Sequence, residues 1–223
     1  MHTLPHILAS FSKRHSRAHL YEYLDAALEQ HVTPASQCLN IGAGGAVAER
    51  LQRHHLSYKE IDVDSARHPD IVADMSDLHM IPDNSIDAII CIEVLEHVTE
   101  PARAVKEARR ILKPGGVFIG STPFMLPIHD EPHDYFRYTR HGITYLFSAF
   151  TELQLIERNS YLESSAVIPL RLFNVGTRTQ KMYAYLLSPF IVSAALCATL
   201  LSRLVTNHQS ATGYFFVFSK PRQ

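Results

Sequence analysis

The sequence predicts an α/β protein, a doubly wound, mostly parallel sheet with helices on both faces and an apolar helical insertion before the last strand. Three observations carry this expectation. Short apolar segments alternate with helical patterns from Gln37 to Phe150, the rhythm of strand–helix–strand units. Gln37–Ile41 runs straight into Gly42-Ala43-Gly44-Gly45-Ala46, a buried strand that opens through a glycine turn onto a helix. Ile86–Ile92 is a nearly continuous apolar run, as a central parallel strand covered on both faces must be.

Composition sets the bounds. A chain of 223 residues with 46% hydrophobic content can bury a full core, and length alone allows one domain or a small pair. The formal net charge of −1 supplies no overall basic field, so no nucleic-acid partner is expected. Cys38, Cys91 and Cys197 are widely spaced in apolar runs, neither a disulfide framework nor a zinc pattern, and a reducing compartment fits them. The histidines number 14, but no HExxH or close Cys/His cluster occurs, and no metal is assigned. Met1–Phe11, short and interrupted by Pro5, does not read as a signal peptide, and Lys13, Arg14 and Arg17 precede the first acid, Glu22.

Taken in order, Leu20, Leu24, Ala27 and Leu28 predict a leading amphipathic helix over about 16–30, ended by Thr33-Pro34, within a helical lead-in of residues 1–34. The first strand and glycine turn follow, then a helix over about 46–54 and a second strand over 58–63. Asp62 ends that strand twenty positions after Gly42, the interval at which a dinucleotide fold places the acid that grips ribose hydroxyls. A helix cap or a solvated turn would place acids there equally. Ile71–Ala73 is a short third strand, Pro82–Ser85 a turn, and Ile86–Ile92 the fourth strand. A helix over 101–112 begins with proline and stops at Lys113-Pro114-Gly115-Gly116, and Val117–Gly120 is the fifth strand.

These segments come in a telling order. Leu39-Asn40-Ile41-Gly42-Ala43-Gly44, Asp62, Ala73-Asp74-Met75, Cys91-Ile92-Glu93-Val94-Leu95-Glu96-His97 and Leu112-Lys113-Pro114-Gly115-Gly116 together resemble the class I S-adenosylmethionine-dependent methyltransferases, in particular the methyltransferase type 11 group. The match covers roughly residues 38–150, within a core of 38–158. The resemblance implies a Rossmann-like sheet of seven strands and S-adenosylmethionine as cofactor. It also implies a pose, in which Gly42, Ala43 and Gly44 lie beneath the methionine part and Asp62, with Val63 beside it, binds the ribose. Asp74 and Met75 would meet the adenine, and Glu93, with His97 after it, would line the sulfonium side. Asn40 stands where relatives carry an acid near the methionine end, and an amide offers no charge to the amino group there. A nicotinamide-cofactor oxidoreductase is the competitor for such a turn, but the sixth position of its GxGxxG fingerprint is Val47 here.

The acceptor side follows the fifth strand, where open sheets build active sites. His129-Asp130-Glu131-Pro132-His133-Asp134-Tyr135-Phe136-Arg137-Tyr138-Thr139 is similar to a segment of a methyltransferase branch associated with glycan, lipid or polyketide biosynthesis. His129, then His133, are the candidate bases, because an imidazole titrates near neutrality. Asp134 is a candidate to orient the base or hold substrate hydroxyls, and Arg137 to bind an acceptor carboxylate or phosphate. The competing reading makes Asp134 and Arg137 a structural ion pair. A helix over 139–150, a sixth strand over 153–157 and a last strand over 214–219 complete the expected sheet.

Residues 160–212 intervene before the last segment, 213–223, and Met182 to Ser202 contains no charge. With Pro189 inside it, the apolar core is shorter than a bilayer span requires. Residues 182–205 are expected to pack on protein as a core or homodimer helix, to lie on a membrane surface, or to form a substrate lid. The expected function is methyl transfer to a small-molecule or lipid- or glycan-linked acceptor, at oxygen, in a cytoplasmic protein with or without peripheral membrane contact. A non-catalytic, membrane-associated binder of the same cofactor remains the alternative.

Overall fold

The computed structural model describes residues 3–205, 207 and 210–222. The helices are α1 (Leu4–Ser16), α2 (Leu20–His31), α3 (Gly45–Arg53), α4 (Pro101–Ile111), α5 (Arg140–Leu146), α6 (Tyr161–Arg171), α7 (Arg178–Leu186) and α8 (Ser188–Leu201). The strands are β1 (Gln37–Ile41), β2 (Ser57–Asp62), β3 (Ile71–Val72), β4 (Ile86–Ile92), β5 (Leu112–Pro123), β6 (Thr151–Glu157) and β7 (Gly213–Ser219). They fall into two compact units, one of Glu22–Thr122, Asp130–Ile156 and Phe215–Gln223, the other of Met1–Tyr21, Pro123–His129 and Glu157–Tyr214.

The sheet has seven strands in the order β3-β2-β1-β4-β5-β7-β6. β1 pairs in parallel with both β2 and β4, β2 with β3, and β4 with β5. β7 runs against β5. Lys220 N donates to Gly116 O at 2.9 Å at one end, and Phe124 N donates to Thr212 O at 2.8 Å at the other. Chain order reverses at β1, and in such sheets the carboxyl ends of the flanking strands form the ligand crevice.

Burial explains the strand composition. Ala88, Ile89, Ile90 and Cys91 of β4 are at most 1% exposed, so a run with no alternation is what the two covered faces demand. Beside it, Phe118, Phe147, Phe216 and Phe218 pack as an aromatic cluster with ring centroids 4.6–6.3 Å apart. Gly120 permits this approach, since a Cβ there would lie 2.6 Å from Phe216 Cζ. α4 buries Ala104, Val105, Ala108 and Ile111 at helical spacing, and its Arg110 reaches back to Asp83 (2.6 Å) and to the Ile81 and Leu78 carbonyls (both 2.9 Å). That clamp holds the turn at 82–85 in place, with Asn84 in the left-handed region at φ 53°.

The other unit is helical apart from its strand ends. Leu8 of α1, Leu170 and Phe173 at the end of α6, Ala184 of α7 and Ala195 of α8 form one buried cluster. Phe173 and Tyr185 stack with centroids 6.0 Å apart, and Asn174 Nδ2 donates to Ala9 O at 3.3 Å.

Four expectations change. The leading helix expected over about 16–30 starts later, as α2 at Leu20; α1 precedes it, with Pro5 in its first turn where the missing N–H costs nothing, and the chain breaks between them at Arg17–His19 with His19 at φ 61°. Leu112–Pro123 is extended throughout, so the Lys-Pro-Gly-Gly segment belongs to a long fifth strand that shifts register between Ile86 and Ala88. α5 stops at Leu146 after its cap, in which the Thr139 side chain accepts from Gly142 N. The apolar run at 186–201 breaks at Leu187, and Pro189 starts α8 rather than kinking a longer helix.

Candidate active site

The glycine turn sits at the carboxyl end of β1. Gly42 adopts φ +90°, donates its N–H to Ile61 O at 2.8 Å, and passes so close to Val94 that a Cβ would lie 2.8 Å from its Cγ2. Gly44 adopts φ +81° and Gly45 φ +67°, yet a Cβ on either would meet nothing within 4 Å. Backbone shape therefore dictates glycine at these positions, and open space lies over the second and third of them.

Carboxylates take the N–H groups of the turn. Asp62 Oδ2 accepts from Ala43 N at 2.9 Å, and its Oδ1 accepts from Asp64 N at 2.9 Å. Glu60 Oε1 accepts from Gly44 N at 3.0 Å and from Asn40 Nδ2 at 3.2 Å. Asn40 is fully buried, and its Oδ1 has no hydrogen-bond partner among the described residues. Arg67 leans over the turn, 3.7 Å from Asp62 Oδ2 and 3.5 Å from Ala43 O. Val63, 68% exposed beside Asp62, offers an open apolar side chain.

Glu93 follows β4 at φ 55°, a conformation uncommon for a residue other than glycine. Its N–H donates to Ser121 O at 3.0 Å, and Ser121 Oγ donates to Glu93 Oε1 at 2.9 Å, so β5 fixes the carboxylate of β4. Asp74 accepts from Ser76 N at 2.7 Å and shapes the chain after β3. Met75 is 3% exposed, its sulfur 3.9 Å from Cys91 Sγ, and so lies in the core rather than on an open face. Burial pushes the Cys38 thiol up to about 11, with Asp87 adding to it, and raises Cys91 further, which leaves neither as a nucleophile.

The acceptor segment is organised by the turn after β4. His97 Nδ1 donates to His133 O at 2.7 Å, which fixes the tautomer and leaves Nε2 3.7 Å from Glu96 Oε1 and 4.0 Å from Asp130 Oδ2. Glu96 is fully buried, and its backbone carbonyl accepts from Tyr135 N (2.9 Å) and Phe136 N (3.2 Å). His133 Nδ1 lies 2.9 Å from Tyr135 Oη. Arg137 grips both oxygens of Asp134, at 2.5 and 2.6 Å, with Asp134 only 1% exposed. Those bonds hold the Arg137 guanidinium above its ordinary pKa against the effect of burial, and Glu96 and Glu93 add to the rise. Tyr138 donates to Leu95 O at 3.1 Å, and burial, then Glu96, raises its pKa, so it serves as an anchor and not as a base.

Asn40, Gly42, Ala43, Gly44, Asp62, Val63 and Glu93 thus gather around the ends of β1, β2 and β4. His97 joins the acceptor segment, and His133, Asp134 and Arg137 belong with it in the sheet unit, whereas His129 is described with the helical unit. The sequence reading missed Glu60 and Ser121. Glu60 carries one available signal: it lies two residues before Asp62, on the same face of a strand of period two.

An open sheet with a glycine turn at its reversal point and an acid at the end of β2 is the cofactor-binding architecture of class I methyltransferases. Residues 39–120 match the family model described as a methyltransferase domain. Those residues carry a methyltransferase domain of the class I S-adenosylmethionine-dependent kind. A segment of 72 residues is 39% identical to the ubiquinone biosynthesis O-methyltransferase of Alkalilimnicola ehrlichii, covering 32% of this chain and 28% of that one. Among solved structures, a SAM-dependent methyltransferase from Archaeoglobus fulgidus superposes with TM-score 0.57 at 14% identity, over 89% of this chain and 94% of the other. The [4+2]-cyclase SpnF superposes equally well, at TM-score 0.58 and 17% identity over 91% and 81% of the two chains, so this fold also hosts other chemistry. The matches span between 17% and 48% of the curated relatives' own length.

The residues present fit the family's cofactor, S-adenosylmethionine. It carries a sulfonium and an ammonium, and Glu60, Asp62 and Glu93 set three carboxylates at the strand ends that would receive it. Its methionine part needs a close approach to backbone, which the open space over Gly44 and Gly45 allows. The buried Asn40 Oδ1 adds an acceptor at the floor of the turn. A pyrophosphate would need free N–H groups here, and those of Ala43 and Gly44 already point at carboxylates.

Proposed function

We propose that this protein transfers the methyl group of S-adenosylmethionine to a hydroxyl oxygen of a small-molecule or lipid-linked acceptor. The observation that carries the reading is the carboxylate-lined glycine turn, which favours a cationic, phosphate-free cofactor over a dinucleotide. Glu60 holds the ammonium through the oxygen not engaged by Gly44, Asp62 holds the ribose hydroxyls, and Glu93 faces the sulfonium side. Bound cofactor supplies an electrophilic methyl carbon on sulfur. The protein aligns the acceptor oxygen with it, and such positioning accounts for much of the acceleration in a displacement of this kind.

A hydroxyl acceptor loses a proton as its oxygen becomes alkylated, and a loop histidine, His129 or His133, takes it. The Asp134–Arg137 pair keeps the segment that carries His133 in shape. The O-methyltransferase relatives support oxygen as the accepting atom. A cytoplasmic setting fits the cysteine usage.

Calorimetric titration of S-adenosylhomocysteine into wild type and Asp62→Ala tests the cofactor site. Micromolar binding that weakens by about 30-fold or more supports it, since two hydrogen bonds to a charged acceptor are lost. No binding to folded wild type, or stronger binding of NADH, overturns it. Radiolabelled methyl transfer to a phenol and quinol panel then separates an enzyme from a non-catalytic binder. The His129→Ala and His133→Ala variants identify the base.

A further inference from the structure

Charge is divided unequally between the two units. Within Met1–Tyr21, Pro123–His129 and Glu157–Tyr214, eight Lys and Arg residues face only Glu157 and Glu163, a formal charge of +6. The sheet unit carries thirteen bases and twenty acids, −7, and the two make up the chain's −1. No Asp or Glu follows Glu163 to the end of the sequence. Near-neutrality of the whole therefore conceals a strongly basic helical unit.

That unit also exposes an apolar face. α8 has no charged residue from Ser188 to Leu201 and buries Ala195 against α1, α6 and α7. Its opposite side is apolar too: Phe190 is 74% exposed and Leu200 62%, with Leu186 of α7 at 74%. A helix packed on one face in water carries polar residues on the other. Arg178 and Lys181 precede this surface and Arg203 follows it. Arg17 lies near enough to Arg171 to depress its pKa, after burial, and Arg171 Nε has no hydrogen-bond partner among the described residues. Cationic crowding of that kind is relieved by an external anion.

Among the described residues no single helix is long and apolar enough to cross a membrane, and α7 and α8 bend by 68° where they meet. At 14 residues α8 is about 21 Å long, short of the roughly 30 Å hydrocarbon layer. We propose that the α7–α8 face docks on an anionic phospholipid surface, its apolar side chains entering the acyl boundary and Arg178, Lys181 and Arg203 meeting headgroup phosphates. A second copy of this chain fits the face less well, because it would bring a like-charged unit against +6. The proposal does not depend on methyl transfer.

Cys197 makes the test direct. It lies on the exposed side of α8, while Cys38 and Cys91 are buried, so a thiol-reactive, polarity-sensitive fluorophore labels it selectively. The labelled full chain is titrated with phosphatidylcholine vesicles and with phosphatidylcholine–phosphatidylglycerol vesicles, beside flotation of unlabelled protein. The expected result is a blue shift and flotation with the anionic vesicles, at least about tenfold weaker with neutral ones and weakened by salt. Phe190→Ser/Leu200→Ser and Arg178→Glu/Lys181→Glu should each lower vesicle affinity by about tenfold or more. Both variants should leave S-adenosylhomocysteine binding unchanged, which shows that they fold. Equal partitioning to both vesicle types, or no flotation by a chain that binds S-adenosylhomocysteine, overturns the proposal. So does a dimer in light scattering that the Phe190→Ser/Leu200→Ser variant dissolves without any change in vesicle binding.

Discussion

Glu60→Gln separates a cation site from an anion site by the sign of its effect. The substitution keeps the shape of the side chain and one carbonyl oxygen. That oxygen can still accept from Gly44 N, at 3.0 Å in the wild type, and from Asn40 Nδ2, at 3.2 Å. Folding stability should therefore change little. What goes is one negative charge beside the turn. A hydrogen bond to a charged partner is worth about 1.5–3 kcal/mol against about 0.5–1.5 for a neutral pair, so the variant loses about 1–1.5 kcal/mol of cofactor binding. That corresponds to a Kd raised about 5- to 15-fold for both S-adenosylmethionine and S-adenosylhomocysteine, because both carry the ammonium. Calorimetry at fixed ionic strength measures it, with thermal unfolding as the control for structure. Unchanged affinity would remove Glu60 from the site. Tighter binding of any phosphate-bearing nucleotide to the variant would refute the cationic reading of the turn altogether, since removing the charge would then have relieved repulsion.

Two further predictions concern the scaffold. Gly120→Ala places a methyl group 2.6 Å from Phe216 Cζ and 3.0 Å from Phe118 Cε1 in a packed aromatic cluster. Such overpacking costs about 1–3 kcal/mol, a fall in Tm of roughly 2–12 °C for a chain of this size, and calorimetric unfolding that shows no change would refute the packing argument. Arg110 holds the Glu107 carboxyl below its usual pKa through their hydrogen bond, against the effect of burial. A depressed carboxyl pKa contributes stability above the unfolded-state value and loses it as pH falls through the folded-state value. Glu107→Gln should thus cost about 0.5–1 kcal/mol in urea unfolding near neutral pH, a modest figure because Glu107 and Arg110 are 20% and 27% exposed, and nearly nothing once both states are protonated well below pH 4. A cost that persists at low pH would mean that the charge is not what stabilises.

Residues whose roles depend on their own backbone were legible. The glycine turn, the acid ending β2 and the residues after β4 each lie at a strand's carboxyl end, and strands announce themselves by apolar runs. α1 was legible only as part of a helical lead-in over residues 1–34, without bounds of its own. Asp134 and Arg137 read in the sequence both as acceptor-binding groups and as a structural ion pair, and only the fold shows both oxygens of Asp134 held by one guanidinium.

By itself, the sequence determined the alternation of elements, the buried central strand and the order of the cofactor motifs, because periodicity, turn chemistry and glycine conformation act over a few neighbouring residues. Tertiary structure decided what depends on distant segments meeting. Parallel pairing sets Glu60 opposite Asn40 and so puts a carboxylate at the turn where residue 40 has none. β5 brings Ser121 to Glu93 across 28 positions of sequence. Folding also gathers the basic residues of two distant segments, Met1–Tyr21 and Glu157–Tyr214, into one unit, a concentration of charge that a chain total of −1 conceals. Charge and hydrogen bonding act through space, and only the fold says which residues share it.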